Sequence, residues 1–149
     1  RQVVDSYEQV YMQKSILVEV TKPSEQAFKA LIGPKCKGGA ILLFSDPVGR
    51  QEYDNIAFLR RHNLIPDQNI QASLWRGNFP EEAKQEIHGW RGLRLPVDAQ
   101  DAAEFMVWCW REGIWSEMLK FSGYQKHQEL ASNGVGVFWE KVGEYLGST

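Results

Sequence analysis

The sequence predicts an α/β (or α+β) domain. Its core is a small, mainly parallel sheet of three strands or slightly more, in β-α-β-α-β order, followed by a helical C-terminal half. Three observations carry this. A β-branched run occupies residues 16–20, a run apolar on both faces occupies residues 40–44, and apolar residues recur at helical spacing between and after such runs.

The elements follow in order. Ile16, Val18 and Val20 favour an extended backbone, so residues 16–20 read as a strand. Pro23 and Ser24 open a helix through Ala27, Phe28 and Leu31, which Gly33 and Pro34 close. Residues 40–44 (AILLF) form a strand that needs cover on both faces, as a central parallel strand does. Residues 51–63 read as a helix with Tyr53, Ile56, Leu59 and Asn63 on one stripe. Ile70, Ala72 and Leu74 alternate with Gln71 and Ser73, which predicts a half-exposed third strand near an edge.

The second half is read as helices. Pro80, Glu81 and Glu82 suit a helix N-terminus, and that helix ends near Gly89. A link containing Gly92 and Pro96 leads to Asp98, an N-cap for the clearest helix of the chain. Its predicted inner stripe is Ala102, Phe105, Met106, Cys109 and Trp110, and Gly113 stops or bends it. Further helices are expected over residues 116–130 and around Phe138, Val142, Tyr145 and Leu146.

Composition narrows the function classes. The chain has 149 residues, 43% hydrophobic and 24% charged, which fits one globular domain rather than a disordered tail. Residues 1–74 hold nine Lys/Arg against eight Asp/Glu, and residues 75–149 hold eight against eleven, so neither half has a bulk attraction for polyphosphate. No apolar run is long enough to span a bilayer. Asp5, Glu8, Lys14 and Glu19 interrupt any signal-peptide pattern. Cys36 and Cys109 have no metal-binding spacing, so a reducing, cytoplasmic setting is expected.

All six tryptophans lie at or after residue 75. Most are expected in the core. Trp110 falls on the apolar stripe. Trp108 does not: Glu104, Arg111 and Glu112 surround it, and Trp115 follows one heptad later. Trp90 sits beside Arg91 and Arg94, a pairing that suits either an internal cation–π contact or stacking on a ligand. Trp108, Trp115, Trp90, Arg91, Arg94 and Arg50 are therefore the candidate binding residues. The leading expectation is a non-enzymatic interaction domain that binds a protein partner or its own twin through aromatic-rich helices.

Two other readings remain open. Lys35, Lys37, Arg60, Arg61, Arg91 and Arg94 could serve a nucleic acid. Glu19 and Asp46, near the carboxyl ends of neighbouring strands, could hold Mg²⁺ for phosphoryl transfer or nuclease chemistry. Over residues 19–48 this second arrangement resembles the Toprim domain of topoisomerases and primases. That resemblance implies Glu19 and Asp46 as catalytic acids. The chain departs from the pattern: Val20 stands where the family has Gly, Val48 where it has a second acid, and a β-α unit between the motifs has no room. On these residues the chain is not assigned to the family. No other cofactor is expected.

Overall fold

The computed structural model describes residues 16–24 and 38–120, with isolated positions at 6, 9, 13, 140 and 142–144. The helix expected at 23–31, the loop with Lys35, Cys36 and Lys37, and the C-terminal helices beyond residue 120 fall largely or wholly outside the described residues. Among those described, three parallel strands form one sheet: β1 (Ile16–Thr21), β2 (Gly38–Leu43) and β3 (Gly92–Arg94), in the order β1-β2-β3. Val18 pairs with Ala40, Thr21 with Leu43, and Leu43 with Arg94.

β2 is the central strand, as its apolar sequence predicts. Ala40, Ile41, Leu42 and Leu43 are all buried. Successive side chains alternate faces. Ala40 and Leu42 join one apolar cluster with Leu93 of β3, and Val18 of β1 packs against it. Ile41 and Leu43 point to the opposite face and are buried as well, outside that cluster.

Helices fill the connection from β2 to β3 and follow it: α1 (Arg50–Arg61), α2 (Gln68–Trp75), α3 (Glu81–Glu86), α4 (Ala99–Arg111) and α5 (Ile114–Met118). A 3₁₀ turn over Ile87–Gly89 extends α3. Among the described residues, no helix is long and apolar enough to cross a membrane.

The third strand is not where the alternation placed it. Residues 70–74 belong to α2, and the sheet is completed by Gly92–Arg94, in the stretch read as a link. Asp67 explains the difference. Its carboxylate accepts the N–H groups of Asn69 and Ile70 at 2.6 and 2.9 Å, a side-chain N-cap that starts a helix. Ile70, Gln71 and Leu74 then share the buried side at helical spacing. β3 is held by partners distant in sequence. Leu64 O accepts from Arg91 N and Gly92 N, while Arg91 O accepts from Ile41 N.

α4 begins as expected. Asp98 caps it through the N–H groups of Gln100 and Asp101 at 2.8 and 3.1 Å. Its C-terminus needs the left-handed conformation at Gly113 (φ 72°), whose N–H bonds to Trp110 O while Glu112 N bonds to Trp108 O. This turn folds α5 back, so Ile114 and Met118 enter the same core as Ala102, Phe105 and Cys109.

Candidate functional site

α4 presents polar and aromatic residues on the flank facing the α2–α3 connection. Asp101, Glu104 and Trp108 recur at i, i+3 and i+7, so they line one stripe. Trp75, Gly77 and Pro96 line the same open groove, whose volume is about 460 Å³. That volume lies within the roughly 300–1,000 Å³ of small-ligand sites. Leu74 and Phe105 form its apolar base.

Both indoles are fixed from behind. Trp108 stacks on Phe105 with ring centroids 5.8 Å apart and 26° between planes. Trp75 donates its indole N–H to Arg94 O at 2.9 Å, and the Arg94 guanidinium lies 5.8 Å from the same ring. Gly77 (φ 71°) turns the chain beside Trp108, and a Cβ there would lie 3.8 Å from its Nε1. The left-handed backbone favours glycine at this corner. Glu104 accepts a hydrogen bond from Gln100 at 2.7 Å. Among the described residues, neither Asp101 nor Glu104 is ion-paired to a Lys or Arg.

The groove continues past Trp108. Glu104, Val107, Trp108 and Arg111 line a second depression of about 520 Å³, so Glu104 and Trp108 form a ridge between two concavities. Further round α4, Val107 is 45% and Trp110 73% exposed. Trp110 is thus not a core residue, contrary to the stripe reading. The helix turns 100° per residue, which sets residue 110 about 80° away from residue 102. Cys109 takes the inward position instead and is fully buried.

The other candidate tryptophans turn inward. Trp90 is 0% exposed and belongs to the core cluster, and Arg91 beside it is buried too. Neither offers a surface for stacking. Trp115 is half-buried, packs on the core and donates its indole N–H to Met106 O at 3.2 Å.

The carboxyl ends of the strands gather charge. Asp46, beyond β2, accepts from Arg94 Nη2 at 3.0 Å. Ser45 just before it has φ 80°, an unfavourable conformation for a residue with a Cβ. Arg60 is partly buried nearby. Burial and then the Arg94 charge lower its pKa from the ordinary value, and Asp67 acts in the opposite direction. Glu19 sits in β1 opposite Ile41, with β2 between it and β3. The structure therefore brings Asp46 to Arg94. Among the described residues, no group of three His, Cys, Asp or Glu side chains is arranged to hold a metal ion. Arg50 is exposed and pairs with Asp54 at 3.5 Å.

No family model matches the chain, and no curated protein or solved structure shows significant similarity to it. The site must be read from its own geometry. Sequence reasoning missed Trp75, Asp101 and Glu104. Asp101 and Glu104 carried a usable signal, since both share a helical face with Trp108. Trp75 was hidden because its helix was read as a strand.

Proposed function

We propose that this protein is an interaction domain whose α4 surface binds a partner protein through a basic, partly apolar segment. One observation carries the reading: Trp110, on a helix otherwise well anchored in the core, leaves nearly three quarters of its surface in water. A large aromatic is a favoured anchor of binding energy. Val107 and Ala103 extend an apolar strip along the same helix.

Charge selects the kind of partner. Over residues 98–112 the chain carries Asp98, Asp101, Glu104 and Glu112 against one cation, Arg111. Complementary potentials steer encounter and reject like-charged partners. A segment alternating cations with apolar side chains matches the Asp101 and Glu104 flank of α4 together with the neighbouring apolar strip.

The test is an NMR titration of the whole chain with a short peptide of alternating lysine and leucine. Perturbed amides should map onto Ala103, Val107 and Trp110. Trp110→Ser and Val107→Ser should abolish the effect, and a glutamate–leucine peptide should produce none. Shifts scattered over the surface, or equal binding by both peptides, would remove the reading. Sedimentation at rising concentration checks the other occupant: a dimer dispersed by Trp110→Ser would replace the basic partner with a second copy of this chain.

A further inference from the structure

We infer that the groove between Trp75 and Trp108 is a subsite for a single cationic side chain, a lysine or arginine supplied by the bound peptide. The inference rests on the reading of the α4 surface as a protein-binding one, and it names what the groove beside that surface selects.

Three features point to a cation. First, the lining includes two indoles, Trp75 and Trp108, the aromatic side chains best suited to attract an ammonium or guanidinium. Second, the charged groups lining the groove are Asp101 and Glu104, both acids, and among the described residues neither is ion-paired. An anionic ligand would meet two like charges there. Third, the indoles are preorganised. Phe105 backs Trp108, and Arg94 both accepts the Trp75 N–H at its carbonyl and stacks on the Trp75 ring. Rigid aromatics lose little freedom when a ligand enters, which favours binding by a small group.

The chemistry of the occupant follows. Leu74 and Phe105 at the base suit the methylene stem of a long side chain. The charged head then lies between the indoles, within reach of the carboxylates. A guanidinium can serve both acids with several N–H donors, and an ammonium can serve them as a compact charge. The Glu104–Trp108 ridge separates this subsite from the depression at Val107 and Arg111. A segment crossing the ridge would place a cation on one side and an apolar residue on the other.

The experiment titrates the ¹⁵N-labelled whole chain with Nα-acetyl-arginine amide and Nα-acetyl-lysine amide, with Nα-acetyl-citrulline amide as the neutral counterpart. The indole N–H resonances of Trp75 and Trp108 should shift saturably with the two cations and not with citrulline. Asp101→Asn combined with Glu104→Gln should weaken binding at least about tenfold, near 1.4 kcal/mol. An unshifted Trp90 indole resonance in that variant shows that its core is intact. Equal shifts with citrulline amide, or unchanged affinity in the double variant, would overturn the inference. Trp110→Ser separates the two readings. It should abolish binding of the lysine–leucine peptide and leave that of acetyl-arginine amide unchanged. If the amino-acid amides fail while the peptide still binds in a Trp110-dependent way, the cation subsite alone falls.

Discussion

Trp75 and Arg94 hold each other twice: the indole N–H donates to the Arg94 carbonyl at 2.9 Å, and the Arg94 guanidinium lies 5.8 Å from the indole centre. The pair joins the C-terminus of α2 to the end of β3. It also fixes one wall of the groove. Arg94 is tied further, through its own N–H to Gln71 Oε1 at 3.0 Å and through Nη2 to Asp46. Trp75→Phe removes the indole donor while keeping a ring for the guanidinium. A loss of about 1 kcal/mol is expected from one hydrogen bond. Trp75→Ala should lose more, because the cation–π contact goes too. Urea denaturation of the two variants gives the comparison, and equal losses would mean that the ring contact with Arg94 adds little beyond the hydrogen bond.

Asp98 is expected to govern the integrity of α4. Its carboxylate accepts two of the helix's first N–H groups. Asp98→Ala should destabilise the protein by about 1 kcal/mol, within the roughly 0.5–2 kcal/mol known for N-caps. Asp98→Asn should recover most of that loss, since its side-chain oxygen can still accept. Thermal or urea unfolding of both variants measures this. Failure of Asn to rescue would assign the effect to the negative charge at the helix N-terminus rather than to the cap.

Much of the fold was legible because some signals are local. The apolar run of β2, the cap at Asp98 and the spacing of Ala102, Phe105 and Cys109 each reflect one element's own geometry. β3 was not legible. It has three residues, and its register comes from Leu64 and from β2 rather than from any β-rich pattern. The alternation at residues 70–74 also fits a short helix, and only the Asp67 cap decides between the two. The site suffered the same ambiguity. Trp108 could be separated from the apolar stripe, but Trp75 and Gly77, which line the groove with it, come from a distant element that sequence spacing does not bring together.

Glu117 should contribute to the acid limb of the stability profile. Its carboxylate accepts from Lys120 Nζ at 2.7 Å and contacts His88 Nε2 at 2.8 Å. The hydrogen bond from Lys120, followed by that from His88, holds its pKa below the ordinary glutamate value. A carboxyl group depressed in the folded state binds protons more readily when unfolded. Its stabilising contribution is therefore present above the ordinary glutamate pKa and is lost as pH falls through the lowered folded value. Glu117→Gln should flatten this part of the profile and leave its shape at neutral pH nearly unchanged. Urea unfolding over the acid range in both proteins decides it, and parallel profiles would refute the assignment.

Cys109 should be inert in the folded protein. It is fully buried in the core cluster, and burial pushes its thiol pKa up, so almost no thiolate forms near neutral pH. In a Cys36→Ser background, a thiol reagent should label the chain only as fast as it opens. The labelling rate should then rise with urea in step with unfolding. Rapid labelling without denaturant would mean that the α4–α5 layer opens separately from the sheet.

The sharpest division predicted is between Trp90 and Trp110, two residues of the same type whose sequence surroundings suggested nearly opposite roles. Trp90 is fully enclosed within the cluster that Leu93, Ile87 and Ile114 also join. Its removal leaves a large cavity that the close-packed surroundings cannot fill. Trp90→Ala should therefore cost about 3–5 kcal/mol, a large share of the stability of a single domain. Trp90→Phe should cost less, because much of the ring volume remains and an indole N–H with no hydrogen-bond partner among the described residues is removed from the interior. Trp110→Ala should change stability by no more than about 0.5 kcal/mol, the usual range for an exposed position. Urea denaturation of the three variants orders them. A large loss at Trp110 would place it under a covering element and withdraw it from the binding surface, whereas a small loss at Trp90 would contradict its position in the core.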